Sequence, residues 1–132
     1  MNIVVDASVV LDLLLGVRRG SARLRDALIR REAVLAPDLL DVEVAQVVRR
    51  YLRADVLSGE RARDLLDDLI ALPVQRVPMR GLVQRAFALR DNVTMYDGVY
   101  LALAEACDAP LWTADRGIAA VPGCEATVEL LV

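Results

Sequence analysis

The sequence predicts an α/β domain, a parallel sheet covered on both faces by helices. Three observations carry this. Short apolar, β-branched runs alternate with longer stretches of helical period. The first run, Ile3-Val4-Val5, does not alternate with polar residues, which marks a strand buried on both faces. It leads straight into a carboxylate, Asp6, and so places that acid at the strand's carboxyl end, where open α/β sheets bind their ligands. A carboxylate walled by apolar neighbours is costly unless it is paired or holds a cation.

The remaining elements follow in order. Residues 8–15 continue as a short apolar helix that stops at Gly16. Ser21 is a cap for a helix over 22–31, with Leu24, Leu28 and Ile29 inward. Residues 33–36 form a second strand, stopped by Pro37. Asp38 opens a long helix to about Arg53, with the apolar stripe Leu40, Val44, Val47, Val48 and Tyr51. Ser58 caps the next helix, to about Leu72, in which Leu65, Leu66, Leu69 and Ile70 are apolar. A third strand spans 74–77 between two prolines, and 81–89 reads as a helix. Thr94 starts a helix over 95–107, 111–113 is a fourth strand, 115–120 one or two helical turns, and 126–130 a terminal strand.

At 132 residues this is a single domain, residues 1–132, able to bury roughly two thirds of its unfolded surface. No apolar run approaches the ~20 residues of a membrane span. The start of the chain carries Asp6 and Asp12 and no basic segment, so it does not read as a signal peptide. The chain is expected in the cytoplasm, with no membrane partner, and Cys107 and Cys124 are expected as ordinary thiols. There is no histidine and no lysine. That excludes a Ser-His-Asp triad, an ordinary zinc site and a P-loop. Any catalysis rests on carboxylates, hydroxyls, arginine and a hard cation such as Mg²⁺ or Mn²⁺, which prefers oxygen ligands. The net charge of −3 does not announce a polyanion binder, but the basic residues are all Arg and cluster at 18/19/23/25, 30/31 and 49/50/53. Guanidinium forks suit phosphate, and they equally suit solvated helix faces.

Most acids fall on polar faces or at helix ends. Glu43 does not: its helical neighbours are Leu39, Leu40, Val44 and Val47, so it lies at the margin of the packed face, either turned inward or reaching solvent or an arginine. Asp97 has Tyr100, Leu101 and Ala104 on its side, and it also fits the third position of a capping box begun by Thr94. Asp115 follows the fourth strand as Asp6 follows the first, and it also suits a turn. Asp38 and Asp41 read as the N-cap and third residue of the long helix, outside any site. Two acids at strand ends and two on inward helix faces converge on one edge of a parallel sheet. A metal site is the economical reason to gather them, since like carboxylates at close range repel.

Four segments carry a resemblance: Ile3-Val4-Val5-Asp6-Ala7-Ser8, Pro37-Asp38-Leu39-Leu40-Asp41-Val42-Glu43-Val44-Ala45, Thr94-Met95-Tyr96-Asp97-Gly98-Val99-Tyr100-Leu101-Ala102-Leu103-Ala104, and Leu111-Trp112-Thr113-Ala114-Asp115. In this order and spacing they resemble the PIN-domain family, and within it the VapC-type toxins of bacterial toxin–antitoxin pairs. The resemblance implies a three-layer α/β/α sandwich around a five-stranded parallel sheet. It implies a Mg²⁺- or Mn²⁺-dependent endoribonuclease with Asp6, Glu43 and Asp97 as the central acids, Asp115 as the fourth, and Ser8 and Thr113 supporting them. It implies an RNA substrate, a VapB-like antitoxin and a homodimer. Arg18, Arg19, Arg23 and Arg116 are then the first candidates to hold the RNA backbone. The alternative is a catalytically silent PIN-like module that binds RNA or a protein. A phospho-accepting receiver domain would need a lysine, and a haloacid-dehalogenase-like phosphatase an aspartate where Ser8 stands.

Overall fold

The computed structural model describes residues 1–131, with every side chain except those of Arg18 and Arg19. The elements are β1 (Asn2–Val5), α1 (Ala7–Leu15), α2 (Arg18–Ile29), β2 (Ala33–Pro37), α3 (Leu39–Arg53), α4 (Gly59–Ala71), β3 (Gln75–Val77), α5 (Val83–Ala88), α6 (Met95–Ala106), β4 (Leu111–Thr113) and β5 (Val128–Leu130). Single 3₁₀ turns, Arg80–Leu82 and Arg116–Ile118, precede α5 and follow β4.

All strand pairs are parallel, in the order β3-β2-β1-β4-β5. The apolar, β-branched β1 therefore lies in the middle, and Ile3, Val4 and Val5 are fully buried, as a strand covered on both faces requires. Helices α1 to α4, which link β1 to β2 to β3, pack together on one face; α5 and α6, which carry the chain back to β4, pack on the other. The chain thus leaves β1 toward β2 and later returns on the opposite side to β4. The strand order reverses between β1 and β4, and the sheet's crevice opens there.

Several helix ends depart from the sequence expectation. Helix α2 begins at Arg18, before Ser21, and the Ser21 hydroxyl donates back to the Val17 carbonyl one turn earlier instead of capping. Ile29 is not inward but 71% exposed, since Leu24 and Ala27 fill the buried stripe of α2. Asp38 has helical dihedrals (φ −53°, ψ −24°) and makes no side-chain cap, because a capping side chain needs an extended residue behind it. In α3 only Leu40, Val44 and Val48 are fully buried, while Val47 and Tyr51 lie at the margin.

Asp41 is taken by Arg76. That guanidinium donates to both Asp41 oxygens (2.9–3.3 Å) and to the carbonyls of Leu69, Leu72 and Val74 (2.6–2.9 Å). One side chain therefore satisfies the open carboxyl end of α4 and ties it to the first turn of α3, just ahead of Glu43. Ser58 and Thr94 cap α4 and α6 as expected, accepting from Arg61 N (3.0 Å) and Asp97 N (3.2 Å). Gly16 ends α1 at φ +74°, a conformation that suits glycine. Both cysteines are free thiols. Among the described residues, no helix is long and apolar enough to cross a membrane.

Candidate active site

Asp6 leaves β1 at the sheet's crevice, its N–H donating to the Trp112 carbonyl of β4 at 3.2 Å, which sets it beside Thr113. It is 7% exposed. One carboxylate oxygen, Oδ1, accepts from Ser8 Oγ (2.5 Å), Ser8 N (3.1 Å) and Val9 N (3.3 Å), and Oδ2 accepts from the Thr113 hydroxyl. Asp6 is thus also the N-cap of α1, a role its sequence context had not disclosed. Its burial is met by protein donors before any cation is considered.

The two hydroxyls are aimed by the backbone that leaves β4. Ser8 Oγ accepts from Ala114 N (2.9 Å) and Thr113 Oγ1 from Asp115 N (2.9 Å). With that lone pair engaged, each hydroxyl turns its proton to Asp6. The same contacts lock Asp115 beside Asp6, and Asp115 Oδ1 in turn accepts from Gly117 N at 2.8 Å.

Glu43 comes from the second turn of α3 and Asp97 from the first turn of α6, and both are half-buried. All four acids line one hollow of about 150 Å³, together with Ala7, Ser8 and Tyr100. Among the described residues, no cationic side chain lines it. The electrostatics report the same convergence. Burial holds Asp6 above the usual carboxylate range, against the hydrogen bonds from Ser8, Thr113 and the backbone that pull it down. Burial also raises Glu43, with repulsion from Asp97 and Asp6 added, and a Tyr100 hydroxyl near its carboxylate acting the other way. Asp97 is raised by burial and then by the charges of Asp115 and Asp6.

Among the described residues, no three acids close into a ready-made ligand cage. The carboxylates ring an open hollow instead. That suits a cation that keeps part of its water shell and takes only one or two carboxylates directly. Every candidate donor is an oxygen, as a hard divalent ion prefers.

The arginines divide. Arg116 is exposed in the turn that follows Asp115, next in sequence to an acid that lines the hollow. The structure places Arg23 elsewhere: it pairs with Glu129 at 3.0 Å, lies 4.6 Å over the Trp112 ring, and shares a hollow with Met1 and Glu32, at the amino-terminal edge of the sheet. Nearness to Asp6 in sequence misled here, because α2 runs its length back to the far edge. The side chains of Arg18 and Arg19 lie outside those described. Sequence reasoning also passed over Tyr100. It stands three residues after Asp97 on the same helix face and is 1% exposed, and its spacing reads as one more core aromatic.

The PIN domain family model matches residues 3–123, a span that holds all four acids. Ribonuclease VapC1 of Mycobacterium tuberculosis is 42% identical over 129 residues, 97% of this chain and 96% of that protein. Ribonuclease VapC12 of the same organism is 37% identical over 129 residues, 98% of each. The solved structure of VapBC2 from Rickettsia felis, bound to a DNA fragment from their promoter, superposes with a TM-score of 0.75 over 100% of both chains at 12% identity, a likeness of fold. The parallel five-stranded sheet, the match along nearly the whole sequence and the shared length agree: the chain belongs to the PIN-domain family, among its VapC-type members.

Proposed function

We propose that this protein is an endoribonuclease, the toxin of a VapBC-type pair, and that it hydrolyses RNA phosphodiesters with a divalent ion held by Asp6, Glu43, Asp97 and Asp115. The observation that carries the reading is that four carboxylates from four separate elements meet in one hollow, with no cationic side chain lining it among the described residues. Relatives at 37–42% identity are named ribonucleases. PIN-domain ribonucleases of the VapC type generally use divalent metal ions, and the oxygen-only donor set favours Mg²⁺ or Mn²⁺ here.

When bound, such an ion activates water for attack and neutralises charge that builds on the phosphate. The protein's part is to hold the acids. Asp6, fixed by Ser8 and Thr113, is the rigid member, and its rotamer is set by four hydrogen bonds. Asp97 is held through its capped backbone and Asp115 through the Thr113 and Gly117 contacts. Arg116 meets the RNA backbone, a contact that positions without reading sequence. A VapB-like antitoxin silences the enzyme, and the active form is a homodimer.

The test is cleavage of labelled RNA by the purified protein with Mn²⁺ or Mg²⁺. Activity is expected to vanish with EDTA and to fall in each of Asp6→Asn, Glu43→Gln, Asp97→Asn and Asp115→Asn. Expression is expected to arrest growth, with relief from the co-expressed neighbouring reading frame. A protein that cleaves nothing with either ion, and whose acid-to-amide variants behave like the parent, overturns the reading.

A further inference from the structure

The hollow holds one polar group that the acids do not account for. The Tyr100 hydroxyl is buried and has no hydrogen-bond partner among the described residues, and Tyr100 lines the hollow. A buried hydroxyl without a partner costs free energy that a phenylalanine at the same place would not. The four acids around it are not equally braced. Asp6 accepts four hydrogen bonds, whereas the Glu43 carboxylate accepts none among the described residues, and its longer side chain has one more torsion to fix. Tyr100 on α6 and Glu43 on α3 line the same hollow, and the phenol lies near enough to that carboxylate to influence it.

We propose that Tyr100 is the positioning residue for Glu43: its phenol donates to one oxygen of that carboxylate and leaves the other oxygen turned into the hollow to receive a cation. The proposal rests on the reading that the hollow holds a divalent ion. The phenol lies near enough to the Glu43 carboxylate to pull its pKa down, short of a well-formed hydrogen bond. With a divalent ion in the hollow, Glu43 would be held where the phenol reaches it. The α6 layer thereby braces an acid supplied by the opposite layer, as Ser8 and Thr113 brace Asp6. The partner of a ligating carboxylate governs affinity as well as orientation, by about 10- to 100-fold when removed.

The experiment is calorimetric titration of Mn²⁺ into the full chain and into Tyr100→Phe, with melting of each metal-free protein and cleavage measured against Mn²⁺ concentration. Tyr100→Phe is expected to fold with an unchanged or higher melting temperature. It is expected to bind Mn²⁺ about 10-fold more weakly. Cleavage should fail at low Mn²⁺ and recover at high Mn²⁺. In a Glu43→Asp background, whose shorter side chain is out of the phenol's reach, Tyr100→Phe is expected to cost nothing further. Equal Mn²⁺ affinity with and without the hydroxyl, or the same loss in both backgrounds, overturns the proposal and leaves the metal reading standing. A parent protein that binds no Mn²⁺ overturns both. Should the Phe variant not fold, the contact is read in the parent as a tyrosine near-ultraviolet change on Mn²⁺ addition that Glu43→Gln lacks. No change in a parent that binds Mn²⁺ overturns it.

Discussion

Each edge of the sheet has a hollow lined by four acids, and the two hollows treat them differently. At the amino-terminal edge, Glu105, Asp108, Glu125 and Glu129 line a hollow of about 340 Å³. There Arg85 grips Glu105 through two contacts (2.9 and 3.1 Å), and Arg23 pairs with Glu129 at 3.0 Å. Burial would raise Glu105, but the Arg85 guanidinium, with the Cys124 thiol and a backbone hydrogen bond at Glu125, outweighs it and holds the carboxyl below its usual range. At the carboxyl edge the hollow is smaller, none of its acids is ion-paired with an arginine among the described residues, and Asp6, Glu43 and Asp97 are all pushed upward. A count of acids therefore does not make a site. An acid cluster with arginines paired to its members is partly compensated within the fold, and one without them carries a burial cost, with mutual repulsion added, that a bound cation would relieve.

The sharpest way to break this contrast is to neutralise one acid on each edge. Asp6→Asn is expected to lower Mn²⁺ affinity and RNA cleavage at least about 10-fold, because an amide nitrogen replaces a ligand oxygen and faces the Thr113 donor. Glu105→Gln is expected to leave both unchanged. Titration calorimetry and cleavage of labelled RNA check the pair, and equal effects at the two edges would dissolve the distinction.

Stability should move the other way. Asp97→Asn removes a charge that Asp115 and Asp6 repel, so the metal-free protein is expected to melt about 1–3 °C higher while losing activity. The size is modest because the carboxylate is partly wetted. Glu105→Gln breaks an attraction and should melt lower. Scanning calorimetry in EDTA decides between them.

The pH dependence follows with its sign. Carboxyls raised in the folded state bind protons more tightly there than in the unfolded chain, whose groups titrate near ~4. Between that value and the raised folded values, the metal-free fold loses stability as pH rises. A cation needs the ionised form, so the Mn²⁺-induced rise in melting temperature is expected to grow across the same window. Paired melts from about pH 4 to 8, with EDTA or Mn²⁺, test this. A metal-induced rise that shrinks with pH would contradict it.

What the sequence disclosed and what it hid have a common physical basis. Asp6 and Asp115 were legible because a parallel sheet sends every strand's carboxyl end to one edge, so position along a strand fixes position in space. For Glu43 and Asp97 the helical period left two readings open, an inward face against a solvent-reaching edge for the first and a cap for the second, and the resemblance alone pointed to the inward one. The hidden features are contacts between segments distant in the chain. Arg76 reaches back 35 residues to Asp41, and the α4 carbonyls it caps are invisible to periodicity. Ser21 has a capping residue's chemistry, yet the helix had already begun, and its hydroxyl went to Val17. Tyr100 reads as core by spacing and is core by burial; only the place of its hydroxyl oxygen distinguishes it.

The smallest expected effect separates the arginines. Arg116 is exposed next to Asp115 in sequence, whereas Arg23 is committed to Glu129 and Trp112 at the other edge. Arg116→Ala is therefore expected to weaken RNA binding and to lower the slope of log affinity against log salt by about 1, the signature of one lost phosphate contact. Arg23→Ala should leave that slope alone and lower the melting temperature, since it strips a cation from Glu129 and from the Trp112 face. Filter binding across a salt series measures both. A slope that responds to Arg23 and not to Arg116 would place the RNA on the amino-terminal edge, away from the four uncompensated acids, and no cut at those acids could then follow.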